Sequence, residues 1–95
     1  MVKHGALMHE TEDDVAVAVM DITAGVEVRV MTLGGEEVCA IRAVEDVPLG
    51  HKISIREINE GEKIIKYGRP IGVATNAIPK GAHVHIHNIK SLRWA

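Results

Sequence analysis

The sequence predicts a mostly β fold, a compact assembly of short twisted strands with at most a short helical turn. Three observations carry that expectation. The aliphatic side chains lean toward branching, with 12 Val and 11 Ile against 4 Leu, and β-branched residues suit a pleated sheet. Apolar residues alternate with small or charged ones over short runs, the period of two that a strand imposes. Gly and Pro punctuate the chain at close intervals, and no stretch of about 10–12 residues keeps a clean helical period.

In chain order, residues 1–5 read as a tail and residues 6–9 as a short first strand. Together with residues 10–12 they lead into a single domain over residues 13–95. Between Asp13 and Ile22, Val15, Val17 and Val19 alternate with Ala, as in a strand packed on both faces. Thr23-Ala24-Gly25 is a turn signal. Val26, Val28 and Val30 then alternate with Glu27 and Arg29, a strand with one wet face. Gly34-Gly35 supplies the positive φ angles of a hairpin, and Glu37–Val44 returns as its second arm. Pro48-Leu49-Gly50 breaks the chain before the run His51–Ile58. Further turn signals at Asn59-Glu60-Gly61, Tyr67-Gly68, Pro70, Gly72 and Pro79-Lys80-Gly81 leave strands over Lys63–Lys66, Ile71–Thr75 and His83–Ile89. Gly72–Asn76 is the one candidate helical turn. Many short strands with Gly and Pro at the corners describe an all-β or barrel-like module.

Composition narrows the function classes. Ninety-five residues make one domain, too short for a two-domain enzyme with a cleft, and a chain of this size buries only about 60–65% of its unfolded surface. A partner is the natural remedy. Hydrophobic residues at 46% and charged residues at 25% exclude a disordered chain. Tyr67 and Trp94 are the only large aromatics, and there is no Phe, which removes the stacking platform of a nucleic-acid binder. The lone Cys39 excludes an internal disulfide and a Cys-rich zinc site, and it reads as a small buried hydrophobe. No leader-like segment and no membrane-spanning stretch is evident, so the expected location is the cytoplasm, with no membrane partner. The net charge of −2 conceals a split. Residues 1–50 carry 3 basic against 10 acidic side chains, residues 51–95 carry 8 against 3, and four of the six His lie in that basic half. An anion handled by this chain would meet the second half, unless the halves interleave and the asymmetry cancels in space.

Three stretches can carry chemistry. In Gly81-Ala82-His83-Val84-His85-Ile86-His87-Asn88, strand alternation puts three imidazoles on one face. A divalent metal, an anionic substrate with proton transfer, and a plain solvated face all remain open for them. In Pro48-Leu49-Gly50-His51-Lys52, the Gly turns the chain and presents an imidazole beside an ammonium, both able to bind or protonate an oxyanion; the alternative is an ordinary turn. In Ile64-Ile65-Lys66-Tyr67-Gly68, a cation and a phenol end an apolar strand at a loop mouth, unless the Tyr67 ring only plugs the core. The acidic run Glu10-Thr11-Glu12-Asp13-Asp14 lacks calcium-loop spacing and reads as a solvated connection.

The ordered set Asp13-Asp14-Val15-Ala16-Val17-Ala18, Ala24-Gly25, Glu45-Asp46-Val47-Pro48-Leu49-Gly50-His51-Lys52-Ile53, Gly61-Glu62, Ile65-Lys66-Tyr67-Gly68, Ile71-Gly72 and Gly81 to Asn88 resembles the SAF domain of the altronate/galactarate dehydratase family. The same module forms the small subunit of sulfolactate sulfo-lyase. The resemblance runs from about Asp13 to Asn88 and implies a β-clip fold beside a large catalytic subunit encoded separately. It also implies elimination of water, or of sulfite, from an anionic 2-hydroxy acid, commonly with Fe²⁺ or another divalent metal. Carried onto this sequence, it leads us to expect acid–base work from His51, Lys52, Lys66 and Tyr67, substrate contacts from His83 and Asn88, and metal ligation by His85 and His87. The hairpin Leu33-Gly34-Gly35-Glu36 lies outside the pattern. Two other classes compete with this reading: a non-catalytic anion-binding module and a simple metal carrier.

Overall fold

A computed structural model of the chain describes residues 4–9, 13–66, 69–85 and 87–91. The strands are β1 (His4–Met8), β2 (Val15–Ala18), β3 (Glu27–Thr32), β4 (Glu37–Arg42), β5 (Lys52–Ser54), β6 (Lys63–Lys66), β7 (Arg69–Ala74), β8 (His83–Val84) and β9 (Ile89–Ser91). They form a six-stranded sheet in the order β4-β3-β1-β2-β5-β8 and a three-stranded sheet in the order β6-β7-β9. The mostly β expectation holds, and no helix occurs among the described residues. Gly72–Asn76 is not a helical turn, because Gly72 to Ala74 pair with Ile89 to Ser91 in β7 and β9. The first strand starts at His4 and lies inside the large sheet, antiparallel to β2 and parallel to β3.

Four turns organise the fold. Thr23–Val26, Pro48–His51, Asn59–Glu62 and Pro79–Ala82 each close with a main-chain bond from the fourth residue to the first carbonyl. Their third residues, Gly25, Gly50, Gly61 and Gly81, have φ between 86° and 91°, as a type II turn requires. The turns interlock in two pairs. Ile22 and Val47 exchange N–H···O bonds of 2.9 Å, while Gly25 N–H donates to Ala43 O and Gly50 N–H to Ala18 O. Ile58 and Ile78 repeat that exchange at 2.8 and 2.7 Å, with Gly61 donating to Ala74 O and Gly81 to Ser54 O. In the first pair two carboxylates extend the reciprocity: Asp46 Oδ1 accepts the Ala24 N–H and Asp21 Oδ1 accepts the Leu49 N–H. The domain is thus two copies of one device, an apolar residue three positions before a turn glycine, clasped against its mate.

Each clasp closes over its own core. Ile22 and Val47 belong to a cluster with Ala16, Val28, Val30, Ile41 and Ile53. Ile58 and Ile78 belong to a second with Val15, Ile64, Ala74 and Val84. Strand β2 serves both, since Ala16 faces one core and Val15 the other; its expected packing on two faces follows from this position. Strand β3 has Val28 and Val30 buried and Glu27 exposed, but Val26, expected on the same apolar face, precedes the strand and is exposed.

The acidic connection is not solvated at its end. Glu10, Thr11 and Glu12 lie outside the described residues, but Asp13 and Asp14 are buried. Asp14 Oδ1 accepts from Arg56 Nε at 2.7 Å and Oδ2 accepts the Ile65 N–H at 2.8 Å. Its own N–H donates to Ile65 O and its carbonyl accepts from Ile55 N–H. A carboxylate satisfied on both oxygens tolerates burial, and this one ties the large sheet to β6. Cys39 is half-buried against the first core rather than fully buried, and desolvation pushes its thiol pKa up.

Candidate functional site

The imidazole cluster arises where β5 and β8 meet. His51 closes the type II turn Pro48–His51, so Gly50 fixes its direction. His83 opens β8, and the pairing of Ile53 with His83 in the register of β5 and β8 brings the two histidines together. His51 Nδ1 and His83 Nε2 are 2.8 Å apart. The His85 ring stacks on His51 at 4.2 Å between centroids, and the His87 ring tilts against His83 at 5.0 Å. One ligand atom from each of His51, His83 and His85 lies within 4.8 Å of the others.

The chain does not stay extended through this segment. Strand β8 ends at Val84, and turn structure at His87 and Asn88 precedes β9, so the single strand expected over residues 83–89 is a short strand followed by a loop. Asn88 is buried. Its Oδ1 accepts the His85 N–H at 2.9 Å and its Nδ2 donates to the His83 carbonyl at 2.8 Å. From the other side, Glu45 Oε1 accepts the His83 N–H at 2.8 Å. Sequence reasoning assigned no role to Glu45, although it stands in the stretch leading to Gly50-His51-Lys52.

The electrostatics favour the neutral imidazole at His83 and His85. Desolvation lowers the His83 pKa, the neighbouring His87, His51 and His85 lower it further, and Glu45 opposes them. The His85 pKa is lowered by desolvation first and then by His51, Lys52 and His87. Lys52 therefore stands close enough for its charge to act on His85. Neutral imidazole is the form that ligates a metal. A tetrahedral divalent ion about 2.0–2.1 Å from each nitrogen holds ligand atoms roughly 3.3–3.4 Å apart, so the trio fits once the 2.8 Å His51–His83 hydrogen bond opens and the wider separations, up to 4.8 Å, close. Its members are His51, His83 and His85; His87, expected as a ligand beside His85, is exposed at the outer end.

Lys66, buried at the end of β6, lines a depression of about 220 Å³ with Leu7, Met8, His9, Val17, Val19 and Leu33, and no cluster histidine shares that lining. Tyr67 lies outside the described residues. The basic half of the chain supplies all four cluster histidines as well as β6, β7 and β9, whereas β5 and β8 join the sheet built by the acidic half.

Residues 4–92 match the altronate/galactarate dehydratase SAF domain. The chain belongs to this family. It is 34% identical over 89 residues to a (2R)-sulfolactate sulfo-lyase subunit alpha of Chromohalobacter salexigens, covering 93% of the chain and 95% of that subunit. Altronate dehydratase of Escherichia coli is 42% identical over 79 residues, 83% of the chain, and the altronate dehydratase of Bacillus subtilis is 36% identical over 80. The chain spans only 15% of the length of either dehydratase. SAF-domain chains thus occur both as a whole subunit and as a small part of a much longer lyase, and the present one is a lyase-family small module of the same kind. Among the described residues, no helix is long and apolar enough to cross a membrane.

Proposed function

We propose that this chain is the small subunit of a two-subunit lyase that removes water from a 2,3-dihydroxy acid of the altronate type, with a divalent metal held by His51, His83 and His85. The convergence of those three imidazoles beside Lys52, in a chain matched to the family from residue 4 to residue 92, carries the reading. When bound, a divalent ion such as Fe²⁺ supplies Lewis-acid polarisation of the substrate carboxylate or the leaving oxygen. The chain's own groups do the rest. The Lys52 ammonium attracts the carboxylate and stabilises negative charge as a base in the pocket completed by the larger chain takes up the α-proton. His87, exposed at the outer end of the cluster, is suited to hold or deliver a proton to the departing hydroxyl. Lys66 and Tyr67 join the acid–base set through their family motif alone, and Lys66→Ala in the assembled enzyme tests that assignment: an unchanged kcat removes it. The larger chain completes the pocket and excludes water.

Elimination of sulfite from a sulfonate is the second reading. It is favoured by the match that covers 95% of the sulfolactate sulfo-lyase subunit, and the same groups serve because only the leaving group changes.

Co-purification with the larger lyase chain, followed by assays of altronate or galactarate dehydration and of sulfite release from sulfolactate, decides between them. In the active pair, His51→Ala, His83→Ala and His85→Ala should each lower kcat by about 10²–10⁴-fold, and a chelator should abolish activity that Fe²⁺ restores. Wild-type rates in all three variants, or inactivity of every reconstituted pair, would end this reading.

A further inference from the structure

We infer that Asn88 is a positioning residue, whose carboxamide sets the spacing of the His83 and His85 imidazoles rather than touching substrate. The inference rests on the reading of the cluster as a metal site. A carboxamide offers one accepting oxygen and one donating nitrogen, and both are engaged within the chain. Oδ1 takes the His85 N–H and Nδ2 gives to the His83 carbonyl. The main chain of Asn88 adds two more ties: its N–H donates to His85 O at 3.1 Å and its carbonyl accepts the Thr75 N–H at 2.9 Å. At 8% exposure the side chain is a buried brace, anchored to the end of β7 and gripping both histidine backbones.

What the brace accomplishes is visible in the ring separations. Along an extended strand, residues 83 and 87 would lie about 13 Å apart, four steps of roughly 3.3 Å. Their ring centroids are 5.0 Å apart, and those of His83 and His85 are 5.7 Å apart. The segment has folded back on itself, and the Asn88 side chain spans the fold, joining its first residue to its third. Without that link, strand geometry would carry His87 about 13 Å from His83, while His83 and His85, about 6.6 Å apart even in a strand, would lose the brace that holds their 5.7 Å spacing. Outer-shell groups that hold ligands in this way commonly contribute 10–100-fold to metal affinity.

Two variants of the full chain test the assignment. Asn88→Ala removes both bonds. Asn88→Asp keeps the volume and the Oδ1 acceptor but turns an oxygen toward the His83 carbonyl, and it decides the matter if the Ala variant does not fold. Two measurements are made on each: Co²⁺ titration followed by visible absorption, and ¹H–¹⁵N correlation spectra of the imidazole rings in the metal-free chain. The expected results are a 10–100-fold weaker Co²⁺ affinity and loss of the hydrogen-bonded ring-nitrogen signature of His51 and His83, with thermal unfolding still cooperative. Wild-type Co²⁺ affinity and unchanged ring resonances in both variants would overturn the inference and return Asn88 to the substrate. If the wild-type chain takes up no Co²⁺, the metal reading falls, and the ring resonances alone still decide whether Asn88 positions the cluster.

Discussion

At the scale of single residues, the four turn glycines look alike in sequence and differ in consequence. Gly61 and Gly81 both hold φ near +87°, where an L side chain costs about 1–2 kcal/mol. A Cβ on Gly61 meets nothing within 4 Å, whereas one on Gly81 would stand 2.1 Å from the Arg42 carbonyl oxygen. Gly81 is where the second clasp touches the first, since its carbonyl also accepts the Val44 N–H. Gly61→Ala should therefore cost about 1–2 kcal/mol and Gly81→Ala about 3 kcal/mol or more. Urea denaturation compares them, and equal losses would refute the contact. Residue type in the sequence identified the turns at both positions. The crowding at Gly81 was not legible there, because Arg42 is far away along the chain.

At the scale of elements, the turn Asn59–Glu62 shows how a strand start is locked. Glu62 Oε1 accepts the Asn59 N–H at 2.8 Å, and Oε2 pairs with Arg56 Nη2 at 3.2 Å. The first of these bonds, then the second, holds the Glu62 carboxyl below its ordinary value near 4.5. A depressed folded-state pKa means that the contribution is present above the unfolded value and is lost as pH falls through the folded one. Glu62→Gln should thus be less stable than wild type near neutrality, with the difference shrinking below about pH 4.5. Thermal melts from pH 3 to 7 check it, and a difference that grows on acidification would contradict the sign. Period-two patterning located most of the strands in this way, from Val15 to Lys66, because each has a local apolar rhythm. It misread residues 83–89, where His, Val and Ile keep a strand rhythm while a carboxamide three to five residues downstream folds the chain back. It also passed over the repeated device itself. Ile22, Val47, Ile58 and Ile78 each stand three residues before a turn glycine, a spacing that was there to be read.

At the scale of the whole molecule, two small cores share one scaffold, and Asp14 is a principal tie between them. Asp14 receives the Arg56 guanidinium and the Ile65 N–H and so couples β2 to β6. Removing it leaves a buried N–H without its acceptor, and Asp14→Ala should cost about 2–4 kcal/mol. Amide exchange should then accelerate more in β6, β7 and β9 than in β3 and β4, which close on the other core. Uniform acceleration across both sheets would show that the halves do not open separately. Composition alone determined that this is one β-rich domain, because branching at Cβ and a turn every few residues leave little else for the chain to form. Motif order pointed to the dehydratase SAF family, and the polar residues grouped with Gly50 and Gly81 marked where chemistry was to be sought. Only the tertiary structure decided which of them meet. Ile53 opposite His83 in the β5–β8 register brings His51, 32 residues away, to 2.8 Å from His83, while Lys66 ends β6 and lines a depression in which no cluster histidine takes part. Sequence rhythm fixes which way a side chain leaves its own strand, but proximity between strands depends on pairing, and pairing is settled by the cores and clasps acting together.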